Sequence, residues 1–224
     1  MPLMNSIKEN LKHIRKTIPE EVTLVAVSKT KPISDILEAY QSGQRIFGEN
    51  KIQEMTNKWE EMPKDISWHM IGHVQTNKVK FMAPYVDTIH AVDSFKLLKE
   101  INKQAVKNDR TINCLLQIKI AQEESKFGLD ISEAESLLNS QEVKSLANIN
   151  ITGLMGMATF TDNKEQIKNE FNNIQSFFEK LKTDHPTLKT LSIGMSGDYQ
   201  LAIECGSTMV RIGSSIFGAR NYSH

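Results

Sequence analysis

The chain has 224 residues, is 39% hydrophobic and carries 27 Lys plus Arg against 27 Asp plus Glu, for a formal net charge of zero. That length and apolar content suit one sizeable α/β core over residues 1–224 better than two small ones. A balanced charge supplies no basic field, which argues against nucleic acid and membrane surfaces as primary partners. With only Cys114 and Cys205 there is no disulfide scaffold, and both are expected as reduced thiols.

At the N-terminus, Met4, Ile7, Leu11 and Ile14 recur at helical spacing among charged residues, without the apolar core of a signal peptide. This predicts an amphipathic helix of a cytoplasmic protein. Its apolar stripe could cover the protein's own core or a second copy, so a monomer and a weak homodimer are both open. Eight β-rich runs follow, at 22–27, 45–47, 68–71, 88–92, 112–120, 149–157, 190–193 and 208–212. Helical periods separate them, for example Leu98, Ile101 and Ala105, and Ile167, Phe171, Ile174, Phe178 and Leu181. Ser132 with Glu135, and Asp162 with Glu165, have capping-box spacing at the start of two of these helices.

Strand and helix in alternation imply a parallel sheet with right-handed crossovers. Eight units after one extra helix predict a (β/α)8 TIM barrel. An open doubly wound sheet is the alternative, and it would normally show a G-x-G-x-x-G or P-loop pattern, neither of which occurs.

Barrel chemistry sits at the C-terminal ends of strands, and the residues there are polar. They are Ser28 and Lys29; Gly48, Glu49 and Asn50; Gly72 through Asn77; Asp93; Ser125 and Lys126; Thr159; Ser196 and Gly197; and Arg211 through Ser214. Loops after the last two strands of such barrels often bind phosphate through glycine and helix-start amides, which suits Ser196, Gly197, Gly213 and Ser214. Closure would set Lys29 beside them. Partial desolvation and the nearby Lys31 and Arg211 favour a neutral amine that can attack an aldehyde, so amine and phosphate loop together point to pyridoxal phosphate.

The same residues carry a resemblance. Val25-Ala26-Val27-Ser28-Lys29-Thr30-Lys31-Pro32, Phe47-Gly48-Glu49-Asn50, Trp68-His69-Met70-Ile71-Gly72-His73-Val74-Gln75-Thr76-Asn77-Lys78, Leu191-Ser192-Ile193-Gly194-Met195-Ser196-Gly197-Asp198, and the segment from Gly206 to Arg220 resemble the pyridoxal phosphate homeostasis protein family. This family is the single-barrel relative of the alanine racemase N-terminal domain, which implies the fold type III pyridoxal phosphate-binding barrel, and the resemblance spans roughly residues 5 to 222. It implies Lys29 as the lysine that forms the Schiff base, phosphate contacts from Ser196 and the Gly213 and Ser214 amides, and Arg211 facing the pyridine nitrogen. Gly197 departs from the acidic or polar residue common at that turn.

A guanidinium cannot accept a proton, so an arginine at the ring nitrogen weakens the ring as an electron sink. Two-domain racemases built on this barrel add a tyrosine from a second domain, for which 224 residues leave no room, and Tyr40, Tyr85, Tyr199 and Tyr222 have no evident claim to that role. The expected function is therefore a carrier or buffer that supplies pyridoxal 5′-phosphate to apoenzymes. The alternatives are a low-activity amino acid racemase using water or Lys29, and a cofactor-sensing module that docks a partner through its first helix. His69 and His73 lack a third metal ligand. Asn50, His73, Gln75 and Asn77 either contact the cofactor or satisfy the barrel mouth, Lys126 either lines that mouth or is solvated, and Met155 and Met157 are expected inside the barrel.

Overall fold

The computed structural model describes residues 6–121 and 127–219. Met4, Ser125, Lys126, Arg220 and Tyr222, which the sequence reading invoked, lie outside the described residues. The eight strands are β1 (Thr23–Val27), β2 (Ile46–Glu49), β3 (Ser67–Met70), β4 (Val86–Val92), β5 (Ile112–Ile118), β6 (Ile149–Gly156), β7 (Thr190–Met195) and β8 (Met209–Ile212). All neighbours are parallel and the sheet closes on itself in chain order, a TIM barrel. Each predicted run overlaps its strand, with ends displaced by one or two residues.

Nine of the described helices follow strands: α2 (Ile33–Gln41), α3 (Ile52–Glu61), α4 (Val79–Met82), α5 (Phe95–Lys107), α6 (Ile131–Asn139), α7 (Gln141–Lys144), α8 (Lys164–Asp184), α9 (Tyr199–Glu204) and α10 (Ser214–Phe217). The extra N-terminal helix, α1 (Ile7–Lys16), buries Leu11 and Ile14 against α2 and α10, so its apolar stripe covers this chain's own barrel. Asn10 Nδ2 donates to the Ile216 carbonyl at 3.0 Å and ties the two ends of the chain together.

The main core lies between strands and helices. The predicted faces of α5 and α8 are buried there, joined by Leu97 on α5 and Phe177 on α8. Each such side chain contributes about 1.5–3 kcal/mol by leaving water. A separate small cluster of Ala91, Leu115 and Met155, with Met157 packed on it, lies apart from that core, as expected for the two methionines. Cys114 and Cys205 are free and buried, and burial pushes the Cys114 thiol up to about 12.

The two predicted caps are corrected. Helix α6 is capped by Asp130, whose carboxylate accepts from the Glu133 amide at 2.8 Å while Glu133 reaches back to the Asp130 amide at 2.9 Å. Leu129 decides this register: its backbone pairs with Gln117 and Lys119 at the end of β5, so the helix starts two residues before the Ser132 register. Helix α8 is capped by Asn163, which accepts from the Gln166 amide at 3.2 Å, rather than by Asp162. No helix among the described residues is long and apolar enough to cross a membrane.

Candidate functional site

Barrel closure is what assembles the site. Strands β1 and β8 pair with Val25 opposite Arg211 and Ala26 opposite Ile212, which sets the end of the first strand beside the start of the last loop. A cavity of about 560 Å³ opens there, within the usual range for small-molecule sites. Its lining includes seven of the residues singled out from the sequence, Lys29, Asn50, Ser196, Gly197, Arg211, Gly213 and Ser214. Ile71, His73, Gln117, Phe127, Met157, Phe160, Met195 and Asp198 also line it.

Lys29 is half-buried on a turn whose backbone is fixed on both sides. Before it, the Ser28 amide continues the ladder to Gly48, and the Ser28 hydroxyl donates to Glu49 Oε1 at 2.5 Å. After it, Thr30 has φ of 63°, and its amide donates to Glu54 Oε1 at 2.6 Å. A β-branched residue in the left-handed region costs about 1–3 kcal/mol and persists only where the surroundings over-determine it. Lys58 of α3 provides that restraint: its three donors go to the Ser28 carbonyl (2.8 Å), Glu49 Oε1 (2.8 Å) and Glu54 Oε1 (2.7 Å). Burial raises the Glu49 carboxyl above its usual range, against the pull of Lys58, and Glu49 Oε2 is a buried atom with no hydrogen-bond partner.

Across the cavity, the loops after β7 and β8 meet directly. Ser196 Oγ accepts from the Gly213 amide at 3.1 Å. A Cβ on Gly213 would lie 3.1 Å from the Val27 carbonyl oxygen, so glycine lets this loop approach β1. At Gly197 the opposite holds, because a Cβ there would meet nothing within 4 Å and would project into open space beside the cavity. Nothing in the fold demands glycine at that position. The open space there and the N–H groups of Ser214 and Ser215, which at the first turn of α10 have no intrahelical acceptor, leave room and donors for a compact anionic group such as a phosphate ester.

Arg211 forms the deep wall. It is buried, its Nη1 donates to the Ser192 carbonyl and to Ser192 Oγ, both at 2.7 Å, and its Nη2 donates to the Gly156 carbonyl at 3.0 Å. Desolvation pushes the guanidinium down to about 10, opposed by Asp198, which leaves it protonated at neutral pH and a donor only.

Other expected positions fall elsewhere. Lys31 reaches the lining, but its Nζ is tied to the Phe217 (2.7 Å) and Ala219 (3.0 Å) carbonyls, where it braces α10. His73 lines the mouth, stacked on Phe127 at 4.5 Å and 3.4 Å from Asp93 Oδ2, whereas Gln75 and Asn77 are exposed outside the lining. Thr159 is held by Glu170, Glu49 turns away toward Lys58, and His69 is buried apart from His73. Among the described residues no tyrosine lines the cavity: Tyr40 bonds Asp65, Tyr85 bonds Thr56 and Tyr199 bonds Thr17. Sequence reasoning missed Lys58, Glu54, Ser192 and His90. The Glu54–Lys58 pair has the i,i+4 spacing of a solvated helix face, and nothing local marks it as buried.

Residues 4–221 match the family described as alanine racemase, N-terminal domain. A pyridoxal phosphate homeostasis protein of Vibrio alginolyticus is 40% identical over 98% of this chain and 100% of its own length. A protein of the same name from Haemophilus influenzae is 44% identical over 90% of this chain and 86% of its own. Among solved structures, PipY of Synechococcus elongatus, with pyridoxal phosphate bound, superposes with a TM-score of 0.86 at 34% identity, covering 95% of this chain and all of PipY. Fold, full-length match and close relatives agree, and the chain belongs to the alanine racemase N-terminal domain family, among relatives named pyridoxal phosphate homeostasis proteins.

Proposed function

We propose that this chain is a single barrel domain that holds pyridoxal 5′-phosphate in the upper cavity, as a Schiff base on Lys29. In this reading it acts in the cytoplasm as a carrier or buffer that supplies the cofactor to other enzymes. One observation carries the reading: an amine at the end of β1 shares a cavity with the serine and glycine loops after β7 and β8 and with a buried, donor-only arginine. The names of the relatives and the ligand bound to PipY support the same ligand class.

When bound, the cofactor supplies an aldehyde that an amine captures reversibly and a ring that can accept electrons. The protein's share is positional. Lys29 offers the amine from a turn pinned at Ser28 and Thr30. Ser196, the Gly213 and Ser214 amides and the open approach at Gly197 receive the phosphate. Arg211, a donor only, would face the ring nitrogen and leave it unprotonated, and Asn50, which lines the same cavity, would contact the ring. An unprotonated ring is a weak electron sink, which favours holding the cofactor over turning over amino acids.

The test is the visible spectrum of the purified protein beside Lys29→Ala, with borohydride reduction and peptide mapping. The expected result is a visible band absent from the variant and a label on the peptide containing Lys29; a wild type that takes up no cofactor overturns the reading. Transfer to a cofactor-free acceptor enzyme is expected, and failure to transfer removes the carrier role. Solvent deuterium entering an amino acid α-carbon at a Lys29-dependent rate would instead favour the racemase. Gly197→Ala is expected to leave stability within about 0.5 kcal/mol, since its Cβ meets nothing, while weakening cofactor binding measured by fluorescence titration.

A further inference from the structure

Behind Arg211 the barrel interior contains a polar chain that the cavity lining does not include. Ser192 Oγ, which accepts from Arg211, lies 3.3 Å from His90 Nδ1. His90 Nε2 lies 2.9 Å from His69 Nδ1, and His69 Nε2 lies 3.7 Å from Asp87 Oδ1. Ser192, His90 and His69 are buried, and the far end of the chain opens on a second cavity, of about 370 Å³, at the N-terminal ends of the strands.

The two ends of this chain are chemically fixed. Arg211 can only donate, and ionised Asp87 can only accept. With neutral imidazoles, one arrangement satisfies the three hydrogen-bonded links and turns an N–H toward Asp87, whose Oδ1 accepts the Thr88 hydroxyl at 2.7 Å and acts on His69 by charge across 3.7 Å. Ser192 accepts from Arg211 and donates to His90 Nδ1; His90 Nε2–H donates to His69 Nδ1; His69 Nε2–H faces Asp87. The reverse arrangement would have both histidines protonated on Nδ1, and would aim the His69 Nε2 lone pair at a carboxylate. Strong desolvation of both rings is consistent with the neutral forms.

We propose that His69, His90 and Ser192 form a one-directional hydrogen-bond relay, its direction set by the nearby Asp87 carboxylate, that orients the Arg211 guanidinium at the base of the upper cavity. His90 and Ser192 are thereby positioning residues, and their effect on cofactor binding rests on the function proposed above. The relay accounts for two buried histidines and a buried serine inside a barrel core, where apolar packing would otherwise be expected.

Nitrogen-15 NMR of the ligand-free wild type tests the relay without any cofactor. Both His69 and His90 are expected as Nε2–H tautomers, with Arg211 side-chain N–H signals protected from exchange. In His90→Leu that protection is lost, and in His90→Gln, which restores one acceptor and one donor, it returns. An Nδ1–H tautomer at either histidine, or unchanged Arg211 protection in His90→Leu, overturns the proposal. In titrations with pyridoxal 5′-phosphate, Ser192→Ala and His90→Leu are expected to bind about tenfold more weakly, and His90→Gln nearly as well as wild type. Wild-type affinity in both Ser192→Ala and His90→Leu overturns the positioning role. Absence of binding by the wild type refutes the cofactor reading instead, and the NMR result still decides the relay.

Discussion

Two buried polar systems flank the upper cavity, and they work in opposite ways. Beneath Lys29, Lys58 sits among Glu49 and Glu54 and grips backbone: the Ser28 carbonyl directly and the Thr30 amide through Glu54. Beneath Arg211, Ser192 and two histidines form a chain of uncharged groups that grips a side chain. The first is charged because it must hold a strained turn at Thr30, and Lys58 offers three donors in one place. The second carries no charge of its own because Arg211 already brings one into the core, and a further buried charge would add desolvation cost without a partner. A flexible amine is thus fixed through its backbone, and a rigid planar guanidinium through its donors.

The largest effect expected from breaking this contrast is on the charged side. Lys58→Met leaves Glu49 buried without its cation and is expected to cost about 3–5 kcal/mol, read as a lower urea midpoint. Adding Glu49→Leu to that variant removes the stranded carboxylate and is expected to recover a large part of the loss; no recovery would show that Glu49 is not the group being stabilised.

Acid sharpens the comparison next, because the two systems have opposite slopes. His69 is lowered by burial from 6.5 to about 4, and His90 is lowered well below 6.5 by burial and by His69 and Arg211. The unfolded chain therefore binds protons that the folded one refuses, and their contribution to stability is lost as pH falls below 6.5, with His69 alone accounting for about 3 kcal/mol by pH 4. Glu49, raised by burial, binds a proton more readily when folded, so its contribution grows as pH falls and is lost as pH rises through its folded value. Stability measured from pH 7 to 4 is expected to fall for wild type relative to His69→Gln and to rise relative to Glu49→Gln. Slopes of the same sign in both comparisons would dissolve the distinction.

The smallest effect concerns the turn itself. Thr30→Gly relieves the left-handed backbone but gives the unfolded chain more freedom, so a gain of about 1 kcal/mol or less is expected in denaturant melts. A clear loss of stability would mean that the threonine side chain, and not the clamp around it, holds Lys29 in place.

Much of this molecule could be read along the chain. The eight apolar runs, the helical periods of α5 and α8, and the polar residues that follow each strand identified the barrel and the rim residues, because these are local or periodic signals. The capping registers were misplaced because D-I-S-E and S-E-A-E overlap from Asp130 to Glu135, and only the pairing of Leu129 with β5 chooses between them. Lys58, His90 and Ser192 gave no signal of burial, since, Glu54 apart, their partners lie 9 to 102 residues away.

By itself, the sequence determined the alternation of strand and helix, the lysine at the end of the first strand and the serine and glycine residues of the last two loops. Only the tertiary structure decided that the barrel closes so that Lys29 and Gly213 line one cavity, that Lys31 braces a helix, and that a charged clamp and a neutral relay lie beneath the cavity. The physical reason is that periodicity reports which faces are apolar. Which polar groups are buried together depends on barrel closure, which brings residues from both ends of the chain into one desolvated space.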